Sequence, residues 1–180
     1  MRNFLMGLVV GVLILPAAFL TAAWLGRLPV SADSRPPRWE IAVAHMALDA
    51  AAARNAPHLA NPIAPTEANL MAGVKLFEGA CAGCHGTPAT ALSNEAAPDL
   101  YPSPPQFALH HPSKPDYQLF WIAEHGVRYS GMFVMKGAFR KDASGRDPSD
   151  EKIWTLVTFL THLDALPPAV AAEWQKSAKQ

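Results

Sequence analysis

Cysteine is nearly absent: two residues in 180, Cys81 and Cys84. A pair three positions apart closes no loop long enough to brace a fold, which excludes a disulfide framework. Excess charge of one sign is missing as well. The 15 Lys and Arg balance the 15 Asp and Glu, leaving no basic face for a nucleic acid, and no such partner is expected. No stretch alternates apolar and polar residues, which argues against strands, and no segment repeats. Proline is plentiful at 17 residues, as expected for rigid loops between helices. The expected class is all-α, one compact domain with appendages.

Charge is absent altogether from Phe4 to Leu25. As a helix rising 1.5 Å per residue, that run reaches about 33 Å, enough to cross a hydrocarbon core of about 30 Å. Pro16 is tolerable in a membrane helix, and Trp24 sits where an interfacial aromatic is useful. The competing reading is a cleaved signal peptide, processed after Val30-Ser31-Ala32, before Asp33, or near Thr21-Ala22-Ala23. The run exceeds the ~7–15 apolar residues of a signal peptide, which favours an anchor over residues 1–26.

Residues 27–65 read as a linker and an accessory helix. Within them Trp39–Arg54 carries Ile41, Ala44, Leu48 and Ala51 on one stripe, and Pro57–Pro65 reads as an extended connector. Residues 66–167 form the expected main domain. Thr66 is a good N-cap with Glu67 in the first turn; Leu70, Val74, Phe77 and Cys81 follow on one face of that helix. Gly86–His111 reads as a long loop of the kind that wraps something functional. Pro115–His125 reads as a short helix ended by Gly126. After a loop over Val127–Arg146, Asp147-Pro148 opens a last helix running to Leu166. It buries Ile153, Leu156, Val157, Leu160 and Leu163, and Pro167-Pro168 stops it. Residues 168–180 are expected to form a C-terminal tail.

Cys81-Ala82-Gly83-Cys84-His85 is a haem c attachment sequence. Two thiols at this spacing each add to one vinyl group of the same porphyrin, and the adjacent histidine reaches the iron from one face. A redox-active disulfide is the first alternative, but that motif follows a strand. A zinc site is the second, and it requires further Cys or His ligands at close spacing. One covalent haem c, with its iron, is therefore the expected cofactor. Its attachment takes place outside the cytoplasmic membrane. The domain is accordingly expected to face the periplasm from the inner membrane, or to be soluble there if the leader is cleaved.

From about Thr66 to Leu166 the sequence resembles the class I cytochrome c family, in a membrane-anchored bacterial form. Gly73 and Phe77 stand eight and four residues before Cys81. The resemblance implies that the glycine lets the last helix cross closely and that the ring fills the crossing. Ile153–Leu160 looks like that last helix. Ala97-Pro98-Asp99-Leu100 resembles the family's proline loop, whose carbonyl accepts a hydrogen bond from the haem histidine, here His85. Gly126-Val127-Arg128-Tyr129-Ser130-Gly131-Met132 resembles the methionine loop, which makes Met132 the expected sixth ligand, a soft thioether that raises the potential. Phe133 stands where relatives usually have proline, and Met135 is a second candidate. His110, His111, His125 or an open position are the remaining alternatives.

Trp121, Arg128 and Tyr129 are candidates for haem propionate contacts, with packing or solvent exposure as the plainer expectation. Trp154 and Phe159 read as core. The implied function is one-electron transfer between extracytoplasmic redox partners in a respiratory chain, by a carrier rather than an enzyme. One alternative is a cytochrome subunit of a larger dehydrogenase or oxidase, docked through the Trp39–Arg54 helix and the tail. The other is a haem enzyme or gas sensor with an open iron position.

Overall fold

A computed structural model of the chain describes residues 2–31, 34, 36–88, 100–141 and 143–176, without the side chains of 2, 4–6 and 8. The described residues form helices and no strand: α1 (Arg2–Trp24), α2 (Arg38–Asn55), α3 (Glu67–Ala80), α4 (Ala82–His85), α5 (Asp116–His125), α6 (Ser149–Thr161), a 3-10 turn at Leu163–Ala165, and α7 (Pro168–Lys176). The all-α expectation holds.

The chain divides into two units, Met1–Arg35 and Pro36–Gln180. The first is α1, with Pro16 inside it. Among the described residues no helix is long and apolar enough to cross a membrane.

The core of the second unit is the crossing of α3 with α6. Thr66 caps α3 as its sequence requires, its Oγ1 accepting from the Asn69 N–H at 3.3 Å. Leu70, Gly73, Val74 and Phe77 are the buried face. On α6 every residue from Ile153 to Leu160 is buried, so this helix is covered all round. Gly73 is where the two backbones meet: a Cβ there would lie 2.4 Å from the Phe159 Cβ and 3.0 Å from the Thr155 carbonyl oxygen. Phe77 packs edge-on against Phe159, with centroids 6.0 Å apart. On the other side of α6, Phe120 of α5 stacks on Trp154 at 4.1 Å.

Two expectations about domain limits are corrected. Residues 168–180 are not a tail over their described part. α7 puts Val170 and Trp174 into the core, and Trp174 stands edge-on to Phe77 at 5.3 Å and to Phe159 at 5.2 Å. α6 stops at Thr161, short of the expected Leu166, and Pro168 opens the next helix, because proline suits a first turn. The Ala171 N–H already donates to the Pro167 carbonyl.

Residues 27–65 are not separate from the main domain either, for the part from Pro36 onward. Ala52 and Ala56 are buried. Lys114 ion-pairs with Asp49 of α2. In the connector, Asn61 Nδ2 donates both to Asp116 Oδ2 of α5 (3.0 Å) and to Thr158 Oγ1 of α6 (2.9 Å). The expected inward stripe of α2 holds at Ala44, Leu48 and Ala51, which are half-buried together with Glu40, whereas Ile41 is exposed.

Candidate functional site

The apolar face of α3 runs into Cys81, the residue that caps α3 and opens α4. Ala82–His85 is a single helical turn closed by bonds from the Cys84 and His85 N–H groups to the Cys81 carbonyl, at 3.1 and 2.9 Å. Cys81, Cys84 and His85 thus share one turn, all half-buried, and both thiols are free. Burial, and behind it the neighbouring Cys84, pushes the Cys81 thiol up to about 12. A thiol so held is un-ionised at neutral pH. That is the reverse of a disulfide-exchange nucleophile, whose thiolate is stabilised. The turn also follows a helix rather than a strand. As for zinc, no three His, Cys, Asp or Glu side chains gather among the described residues.

His85 is held from two sides. Its Nδ1 lies 2.9 Å from the Pro105 carbonyl oxygen. A carbonyl only accepts, so Nδ1 carries the proton and Nε2 keeps its lone pair for a ligand bond. Phe107 stacks on the imidazole face, centroids 4.7 Å apart and planes 15° apart, and meets Phe77 edge-on at 6.2 Å. Burial lowers the pKa of His85, opposed by the bond to Pro105; the ring is thereby kept neutral. The sequence pointed to Ala97-Pro98-Asp99-Leu100 for the proline carbonyl. Residues 97–99 lie outside the described residues, and the acceptor in the structure is Pro105. The pair Pro104-Pro105 followed by an aromatic was the signal that sequence reasoning passed over.

Met132 lies on a different segment, and its loop is fixed at both ends. α5 stops at Gly126, with φ 67°. A Cβ there would meet the Met132 carbonyl oxygen at 2.7 Å and Phe133 backbone at 2.8 Å. Only glycine allows both that turn and that approach. The Val127 N–H donates to the Met132 carbonyl at 3.0 Å, and the Met132 N–H to Ser130 Oγ at 3.1 Å. Ser130 Oγ in turn donates to the Val127 carbonyl at 2.7 Å. Downstream, the Met135 and Lys136 N–H groups donate to the Ala123 and Glu124 carbonyls of α5, both at 3.2 Å. The Gly137 N–H donates to Ser149 Oγ at 2.9 Å, at the start of α6. Leu100 reaches this loop as well, its methyl carbons 3.0 Å from the position of a Cβ on Gly131.

The other sequence candidates are dispersed. Met135 is buried in the hydrophobic core, whereas Met132 is half-buried at its edge. His111 Nδ1 pairs with Asp164 at 2.5 Å. His110 is exposed. His125 directs Nδ1 to the Trp121 carbonyl at 3.0 Å, and its ring stacks on Trp121. Tyr129 stands out into solvent at 90% exposure, with the Arg128 guanidinium 6.0 Å from its ring. Trp154 and Phe159 are core.

The donor set suits a haem c: two free thiols on one turn, a neutral imidazole with Nε2 free of its proton, and a thioether on a preformed loop. Comparison with protein-family models, with curated proteins and with solved structures finds no match to the chain.

Proposed function

We propose that the chain is a one-electron carrier of the class I cytochrome c kind, with one haem c held by Cys81 and Cys84 and ligated by His85 and Met132. The observation that carries this reading is the His85 Nδ1 bond to the Pro105 carbonyl. It fixes the tautomer and makes Nε2 a stronger donor, which is what an axial ligand requires and what a surface histidine does not. When bound, the haem supplies the one-electron iron couple. The protein's own part is to hold its ligands still. Phe107 and Pro105 fix the plane of His85, and the loop from Gly126 to Met132 presents the thioether from a backbone set by its own hydrogen bonds. The uncharged run Phe4–Leu25, with its described side chains other than Ala22 exposed in α1, supports an anchor in the inner membrane with the domain in the periplasm. Processing before Asp33 would release a soluble periplasmic form. The redox partners are then extracytoplasmic proteins.

A second reading, a cytochrome subunit of a larger dehydrogenase or oxidase, is favoured by α2. Its outward residues Trp39, Val43 and Met46 are each at least half exposed, an apolar surface on a helix otherwise tied to the domain. α7 drops out of this reading as a docking element, since its apolar residues are in the core.

The test is attachment. Produced in a host that matures c-type cytochromes, the protein should keep haem through denaturing electrophoresis. Cys81→Ala or Cys84→Ala should leave a single thioether, and the double variant should lose covalent haem. Haem retained by the double variant would overturn the proposal.

A further inference from the structure

Three consecutive residues, Pro105 to Phe107, meet the attachment turn, and one of them is not explained by packing. Gln106 is 5% exposed. Its Nε2 donates to the Cys84 carbonyl and to the Pro104 carbonyl, both at 3.1 Å. Its own carbonyl accepts from the Leu109 and His110 N–H groups at 3.0 and 2.9 Å. Its side-chain Oε1 is buried and has no hydrogen-bond partner. A buried, unpaired acceptor is a penalty that an apolar side chain of the same shape would not carry. Two consecutive prolines explain why a donor is needed here. Positions 104 and 105 have no backbone N–H, so they cannot tie the loop to α4, and the amide of Gln106 supplies the tie instead.

We propose that Gln106 is a positioning residue for His85. By holding the Cys84 carbonyl it keeps the neighbouring Pro105 carbonyl at bonding distance from His85 Nδ1, and through that bond it sets how strongly the imidazole donates to iron. The inference rests on the haem reading above. Without the tie, the loop keeps the Phe107 stack on His85 but loses its hold on the Cys84 carbonyl. The Pro105 carbonyl then moves off Nδ1–H, the imidazole loses part of its donor strength, ferric iron is less stabilised, and the potential rises.

The experiment uses the full-length protein with covalent haem and two variants that keep the shape of the side chain without its donor, Gln106→Leu and Gln106→Met. Both should retain the haem. Solvent exchange of the His85 Nδ1 proton, followed by NMR, should quicken by about tenfold, the worth of one hydrogen bond, and the midpoint potential should rise. Parental exchange and potential in both variants would overturn the proposal. So would a fall in Tm with those two readouts unmoved, or failure of both variants to fold, since either makes Gln106 a structural residue only. A parent without covalent haem is a separate result: it sinks the haem reading, and this inference with it.

Discussion

Replacing Gly73 by alanine sets helix propensity directly against packing. In an open helix the change stabilises by about 1 kcal/mol, because glycine is the freer residue in the unfolded chain. At Gly73 the added methyl would stand 2.4 Å from the Phe159 Cβ, where ordinary contact begins near 3.4 Å, and 3.0 Å from the Thr155 carbonyl oxygen. Neither neighbour can swing aside. A Cβ and a carbonyl oxygen move only with their backbone, so α3 and α6 must separate by about an ångström along the best-packed seam of the core. Overpacking of this kind costs about 1–3 kcal/mol, and the upper end applies where two backbones must shift. The net expectation is a loss of about 2 kcal/mol, or a Tm lower by about 4–8 °C in a unit of this size. Gly79, on the same helix, is the control: nothing lies within 4 Å of its added Cβ. Gly79→Ala should raise Tm by about 2–4 °C. Thermal unfolding of the two variants beside the parent decides the matter. A Gly73→Ala protein as stable as the parent would refute the close crossing, and with it the packing account of the core.

Met132→Ala should abolish the methionine–iron charge-transfer band and lower the reduction potential, whereas Met135→Ala should keep the band and destabilise the core by about 2–5 kcal/mol. The reverse pattern would move the ligand to Met135. The chain without haem should also lose stability in alkali. The Cys81 pKa is raised on folding from 9.0 to about 12, so its contribution is complete below pH 9 and disappears as pH rises toward 12. By about pH 10.5 the parent should have lost about 2 kcal/mol more than Cys81→Ala, read from denaturant midpoints. With the sulfur bound as a thioether there is no proton to lose, and that difference should vanish.

The features legible in the sequence were those written in local chemistry. Thr66 capping α3 and Gly126 ending α5 depend on side chains and torsions within a few residues of the feature. Asp147 before Pro148 is of the same kind: its Oδ1 accepts from the Ser149 N–H at 2.9 Å. The single turn that gathers Cys81, Cys84 and His85 is equally local. What escaped depends on distant partners. Pro167-Pro168 is the same sequence whether a helix stops there or another begins, and only the space beside Phe77 and Phe159 decides that Val170 and Trp174 fold inward. Several prolines follow His85, and which of their carbonyls reaches it is settled by how the loop returns, not by its spelling. In α2 the inward stripe Ala44, Leu48 and Ala51 is legible, but the turn where it begins is not: Glu40 rather than Ile41 is half-buried there.

The hydrogen bonds of the methionine loop have a consequence for exchange at position 132. The N–H and carbonyl of Met132 are both committed to the loop's own ring of bonds through Ser130 and Val127, so the backbone owes nothing to the thioether. On the proposed ligation, leaving and regaining a ligand position would then be a rotation about side-chain torsions and not the opening of a segment. On that ligation, residue 132 would be a socket: histidine, lysine or an outside ligand could take the methionine's place while the loop, α5 and the start of α6 keep their positions.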